Sequence, residues 1–232
     1  MWKPLAAALL LTMGAGSHGR EATYTNPILH ADYSDPDVIR VGSDYYMVAS
    51  TFHFSPGIPV LHSQDLVTWR IIGHVLPRLT FAPEYDMVPP FTLSDATQRP
   101  VGPGLRYGLG VWAPAIRHHN GLFHVYWGTP TEGIFMSTAR KPEGPWSPPV
   151  TVVDQAGLED PSPFWDDDGS AWLVHSLVGA GPLILRRMSP DGKSVLDGGE
   201  VIVEDRERLP VLEGPKLYKR NGFYYIFAPI DG

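Results

Sequence analysis

Leu158-Glu159-Asp160-Pro161, followed by Trp165-Asp166-Asp167-Asp168-Gly169-Ser170-Ala171-Trp172-Leu173-Val174-His175-Ser176, is the stretch that decides the fold. A carboxylate stands against a proline turn, an Asp-Gly turn follows, and then comes an aromatic and apolar run of strand character. The same order occurs earlier, where Ser34-Asp35-Pro36-Asp37 precedes Gly42-Ser43-Asp44-Tyr45-Tyr46. It occurs again later, where Leu212-Glu213-Gly214-Pro215 precedes Asn221-Gly222-Phe223-Tyr224-Tyr225. A fourth aromatic run without a leading carboxylate starts at Gly121 and reads Leu122-Phe123-His124-Val125-Tyr126-Trp127. Gly121, Gly169 and Gly222 recur about every fifty residues, a period typical of β-propeller blades.

The units close at turns near Asp65–Trp69, Gly144-Pro145-Trp146 and Ser189-Pro190-Asp191-Gly192. The interval from Gly42 to Gly121 is longer, and the surplus falls in Leu79–Arg106, a loop-like stretch holding Pro83, Pro89, Pro90, Pro100 and Pro103. The fourth unit begins at Phe223 and breaks off at Gly232. The expected fold is all-β, a five-bladed β-propeller architecture present here as about three and a half blades, C-terminally truncated. The alternative at this level is a β-sandwich with aromatic hairpins.

Composition supports short strands and many turns. The 232 residues include 24 Gly and 24 Pro, and 43% are hydrophobic, enough for a sizeable core. Net charge is −7 and no Lys/Arg run exceeds a pair, which excludes a nucleic-acid footprint. There is no cysteine, so disulfides and thiolate metal sites are excluded. Past the N-terminus no stretch is apolar enough to span a bilayer. Lys3, the apolar run Leu5–Met13 and the small residues Gly14 to Ser17 read as an export signal over residues 1–19. Cleavage is expected between Gly16 and Ala22, leaving residues 22–232 as propeller, in a secreted or periplasmic protein.

The three carboxylates precede their aromatic runs by similar intervals, so a propeller would bring Asp35, Asp160 and Glu213 to one mouth of its central funnel. Taken singly, Asp35-Pro36 and Asp160-Pro161 are ordinary turn starters, and Asp35 is expected to be extended because a proline follows. Taken together around an aromatic pocket, an acid and a base separated by room for a water are the equipment of inverting glycoside hydrolysis. A third carboxylate tunes the acid through its charge. Asp166-Asp167-Asp168-Gly169 lacks the ligand spacing of a calcium loop and reads as a hairpin turn. His118, His119 and His124 form no zinc motif and read as strand-end and turn residues. His53 is expected to border the pocket.

The chain resembles glycoside hydrolase family 43 from Thr25-Asn26-Pro27-Ile28 onward. The resemblance is carried by Tyr33-Ser34-Asp35-Pro36-Asp37, Ser50-Thr51-Phe52, His62-Ser63-Gln64-Asp65-Leu66-Val67-Thr68-Trp69, Val111-Trp112-Ala113-Pro114, Glu159-Asp160-Pro161 and Glu213-Gly214-Pro215-Lys216-Leu217-Tyr218, in that order. It implies a five-bladed propeller that hydrolyses β-xylosides or α-L-arabinofuranosides in small oligosaccharides, with inversion. It implies Asp35 as general base, Glu213 as general acid, Asp160 as the residue that orients the acid and tunes its pKa, and Phe52 and Trp112 as sugar-pocket walls. Phe52 reads equally well as blade packing. No catalytic cofactor is implied. Full-length members close further blades, whose central histidine, arginine and calcium-linked waters have no counterpart here. The resemblance therefore leaves the funnel open on one side and predicts a poorly soluble, weakly active isolated chain. A non-catalytic sugar-binding propeller is the alternative function, and a retaining fructosidase fits the Trp-Ala-Pro and Glu-Gly-Pro contexts less well.

Overall fold

The computed structural model describes residues 23–88, 92–93, 100–101, 105–179 and 181–230. Residues 1–19, expected to be an export signal, and Pro89, Pro90, Pro103 and the last two residues lie outside these. The architecture is all-β, with one 3-10 turn at Pro83–Asp86 and a small hairpin of β5 (Thr92–Leu93) and β6 (Pro100–Val101) in the long interval between the first two blades.

Three four-stranded antiparallel sheets form successive blades. The first runs β1 (Asp37–Val41), β2 (Asp44–Val48), β3 (Gly57–Ser63) and β4 (Arg70–Leu76). The second runs β7 (Trp112–His119), β8 (Leu122–Thr129), β9 (Gly133–Ala139) and β10 (Val150–Asp154). The third runs β11 (Leu158–Trp165), β12 (Ala171–Leu177), β13 (Leu183–Met188) and β14 (Glu200–Val203). A hairpin of β15 (Lys216–Arg220) and β16 (Phe223–Phe227) starts a fourth. The chain is an incomplete β-propeller, as its repeats predict.

Local chemistry sets the register. His119 pairs with Leu122 and Arg220 with Phe223, so Asn120-Gly121 and Asn221-Gly222 are two-residue turns. Both residues of each carry positive φ, as a type I′ hairpin requires. Within β8, side chains alternate between two interfaces. Phe123, Val125 and Trp127 pack toward the first blade with Val48, Ile58 and Val60, while Tyr126 packs toward the third with Leu158 and Leu173. A strand buried on both faces thus reads as a continuous apolar run. A third cluster, Val174, Leu183, Leu212 and Leu217, joins blade three to the last hairpin. The outer strand of that hairpin leaves Phe223, Tyr224, Tyr225 and Phe227 exposed.

Two expectations about the units are corrected. Trp69, Trp146 and Ser189–Gly192 do not end their blades, because in each a fourth strand follows (β4, β10 and β14). β10 and β14 are short and each outermost strand is partly solvent-facing, so the turns that precede them read as blade ends. His124 is not at a strand end. It lies inside β8, buried against Trp165 at 4.8 Å, and burial lowers its pKa to about 4.

Candidate active site

The innermost strands, β1, β7, β11 and β15, converge at one end, and each approach carries the same device. Asp35-Pro36, Ala113-Pro114, Asp160-Pro161 and Gly214-Pro215 each place a positive-φ residue immediately before a proline (φ 50, 33, 57 and 60°). Pairing slips at this point in blades two and three, between Trp112 and Ala115 and between Glu159 and Ser162. Proline has no N–H to give the ladder, so it sits where the strand bulges, and the bulge re-aims the side chains beside it. The expected extended backbone at Asp35 is corrected here: the bulge turns it to positive φ, which short polar Asp tolerates better than most residues.

This shared register separates residues that looked equivalent. Asp35 and Asp160 occupy the positive-φ position itself, while Glu213 stands one residue earlier, in register with Glu159 and Trp112. All of them converge on a cavity of about 590 Å³ lined by Asp35, Phe52, Trp112, Asp160, Glu213 and Lys216, with Glu159, Phe227 and Pro229 also contributing. All five sequence-predicted site residues are therefore brought together.

Each is held by named contacts. Ser50 Oγ donates to Asp35 Oδ2 at 2.6 Å and accepts the Ala113 N–H at 2.7 Å, tying blade one to blade two. Gly214 N–H donates to Asp160 Oδ2 at 2.7 Å, and the Ser176 hydroxyl lies 3.4 Å from the same oxygen. Phe52 bridges Val111 through two backbone hydrogen bonds of 2.9 and 2.8 Å. Val111 belongs to the core, which leaves the Phe52 ring as pocket wall. Gly110 permits that approach, since a Cβ there would lie 2.0 Å from the Phe52 carbonyl oxygen. Trp112 is fixed by its Nε1–H donating to Gly108 O at 2.8 Å. His53 does not line the cavity. Its ring packs between Phe54 and Tyr107 at 4.5 and 4.1 Å, and Nδ1 accepts the Gly108 N–H.

Carboxylate oxygens of Glu159, Asp160 and Glu213 lie within 4.8 Å of one another, and Asp35 is outside that group. Asp160 is buried, which raises its pKa. The Gly214 N–H and the Lys216 charge pull it back, while the Asp35 charge adds to the rise. The Glu213 pKa is also raised, first by burial, then by the charges of Asp160 and Asp35. Both shifts favour the protonated carboxyl, and for Glu213 the charges of Asp160 and Asp35 add to the effect of burial.

Below the mouth a second layer joins all four strands. Arg117 donates to Asp37 Oδ2 at 2.5 Å and to Ser162 Oγ at 2.8 Å, and the Ile116 N–H also reaches Asp37 at 2.8 Å. Leu217 N–H closes the run on Ser162 Oγ at 3.2 Å. Asp166, in the hairpin turn expected from the sequence, is engaged by Lys219 and Tyr224, and Lys219 holds its pKa down at about 2. Glu159, Lys216 and Ser50 were not singled out from sequence. Lining up the four prolines would have found the first two.

The model of glycosyl hydrolases family 43 matches residues 24–232. A protein of Xylanibacter ruminicola named for beta-xylosidase activity is 47% identical over 221 residues, covering 95% of this chain and 37% of its own length. The non-reducing end alpha-L-arabinofuranosidase BoGH43B of Bacteroides ovatus is 34% identical over 239 residues, covering 100% of this chain and 41% of its own. Among solved structures, the xylan beta-1,4-xylosidase of Bacillus halodurans superposes with a TM-score of 0.71 at 30% identity, over 90% of this chain and 39% of that one. The chain spans less than half the length of these curated relatives. No helix among the described residues is long and apolar enough to cross a membrane. By its matched length and its likeness to these relatives, the chain belongs to glycosyl hydrolase family 43.

Proposed function

We propose that this chain carries the catalytic centre of an exported glycosidase that removes terminal xylosyl or arabinofuranosyl residues from hemicellulose-derived oligosaccharides with inversion. The observation that carries the reading is Glu213: a half-buried carboxyl whose proton is favoured by burial and by two anionic neighbours, in a cavity walled by Phe52 and Trp112. A cavity of about 590 Å³ suits a small sugar. The names of the relatives support a pentoside substrate.

In this mechanism the sugar stacks its C–H faces on Phe52 and Trp112. Glu213 gives its proton to the glycosidic oxygen as the bond to the anomeric carbon breaks. Asp35, steadied by Ser50, takes a proton from a water that attacks the opposite face. One displacement inverts the anomeric centre, leaving Glu213 anionic and Asp35 protonated, and exchange with solvent resets both. Asp160, fixed by Gly214 N–H, orients Glu213 and keeps its proton on. No metal or organic cofactor enters these steps.

Glu213→Gln tests the acid. Hydrolysis of xylobiose is expected to fall about 10²–10⁴-fold, with a smaller loss on an aryl glycoside whose leaving group needs no proton. Sugar binding by calorimetry should persist, and NMR of the wild-type product should show the inverted anomer. Unchanged xylobiose and arabinoside hydrolysis in the variant, or a retained anomer in the wild type, would refute the reading.

A further inference from the structure

Lys216 begins β15 directly after Pro215, three residues beyond Glu213, and it lines the same cavity. Its Nζ has no exposed surface and no hydrogen-bond partner among the described residues. The residues at the equivalent place after the prolines of β1 and β11 are Asp37 and Ser162, and both are hydrogen-bonded across the axis. Lys216 shares their ring of positions without sharing their bonds. A buried ammonium with no bonded partner is costly: burial lowers the Lys216 pKa and Arg117 adds to that, while the charges of Asp37, Asp160 and Asp35 oppose it.

The charged groups facing it come from every inner strand. β1 and the segment before it supply Asp37 and Asp35, β7 supplies Arg117, and β11 supplies Asp160. Glu159 and Glu213 line the same cavity. Carboxylates outnumber the single guanidinium. We propose that Lys216 is a positioning residue of this site: its buried amino group holds Asp160 as the anion that keeps Glu213 protonated. The proposal rests on the glycosidase reading above.

The chain of influence has two links. Burial favours the neutral form of Asp160, and the Lys216 charge opposes that, acting with the Gly214 N–H. The Asp160 anion in turn favours the protonated form of Glu213. Without the Lys216 charge, Asp160 takes up a proton at higher pH. Below that raised midpoint Glu213 stands beside a neutral carboxyl instead of an anion, so the charge pattern of the site is lost there first.

The test compares Lys216→Met and Lys216→Gln, which remove the charge, with Lys216→Arg, which keeps it, in the natural protein that carries this chain. The readout is kcat/KM against pH on an aryl xyloside and an aryl arabinofuranoside. The expected result is a narrowed bell in both neutral variants, its acidic limb raised by about one unit because Asp160 is protonated at higher pH, while Lys216→Arg keeps the wild-type width. Limbs that stay in place in the neutral variants, even with lower activity or stability, overturn the proposal, since a purely structural lysine does not move them. If Lys216→Met fails to fold, the near-isosteric Gln variant carries the comparison. A carbon-13 titration of the Asp160 carboxyl, in wild type and Lys216→Gln, decides the same point without turnover. A raised Asp160 midpoint in the variant supports the proposal, and an unmoved one overturns it. Absence of pentoside hydrolysis by the wild type would defeat the glycosidase reading, while the titration would still report on Lys216.

Discussion

Replacing Arg117 by Met should expose how the four inner strands are held in place. Arg117 donates to Asp37 at 2.5 Å, to Ser162 Oγ at 2.8 Å and to the Ile116 carbonyl at 2.7 Å, and its guanidinium lies 5.4 Å from the Tyr218 ring centre. Its partner Asp37 is 3% exposed. After the substitution Asp37 keeps the Ile116 N–H at 2.8 Å and the nearby Lys216 charge, but has lost its hydrogen-bonded counter-charge. Ser162 still accepts from Leu217, so the loss is concentrated at Asp37. Removing one partner of a buried ion pair costs about 3–5 kcal/mol. For a chain of this size each kcal/mol moves Tm by about 2–4 °C, so a fall of roughly 6–20 °C is expected. Urea and thermal unfolding followed by circular dichroism measure it. Adding Asp37→Asn removes the stranded charge yet keeps an acceptor for Ile116, and it should restore at least about 2 kcal/mol. A single variant within about 1 kcal/mol of wild type, or no recovery in the double variant, would refute the reasoning.

Ser50→Ala removes a donor to Asp35 and leaves the buried Ala113 N–H without its acceptor. Hydrogen bonds to charged groups contribute about 1.5–3 kcal/mol, so kcat/KM should fall about ten- to hundredfold, and a change under about twofold would show that Asp35 is steadied by other groups. Gly110→Ala should disrupt the Phe52–Val111 bridge, because the added carbon meets the Phe52 carbonyl oxygen at 2.0 Å. KM for pentosides should rise at least about tenfold as the Phe52 wall shifts, and unchanged KM with unchanged stability would contradict so close an approach of the two backbones.

The parts of this fold that were legible in sequence are those encoded locally. The turns at Asn120-Gly121 and Asn221-Gly222 need positive φ at both residues, and they announce their hairpins directly. The second strand β8 carries a dense apolar signal because neighbouring blades cover both of its faces. The outer strands β10 and β14 are short and follow turns that read as blade ends, so their few apolar residues do not announce a further strand. At the site, Asp35, Asp160 and Glu213 stood out through repeated spacing. Ser50 did not, because its role depends on a hydrogen bond to Asp35 across a sheet. The backbone of Asp35 was misread because the rule for residues before proline describes a free chain, and here a bulge overrides it. Lys216 was hidden because a lysine on a strand normally reads as solvent-facing. Its burial becomes visible only when β15 is set beside β1 and β11.

The repeated bulge before each inner proline has a consequence for how such a site changes over time. Four strands follow one path, and the identity of the mouth is spelled at eight positions, two per strand: Ser34 and Asp35, Trp112 and Ala113, Glu159 and Asp160, Glu213 and Gly214. The first slot of each pair takes varied side chains, while the second, at positive φ, holds Asp, Ala or Gly, and the bend itself is made by the proline and the ladder around it. The proposed acid, base, tuning group and aromatic wall are therefore separable choices on a common frame. A lineage can rewrite one slot, exchanging a wall for a charge or a carboxylate for a small residue, without re-solving the path of the chain. That independence gives a propeller mouth room to acquire new sugar preferences while its blades stay as they are.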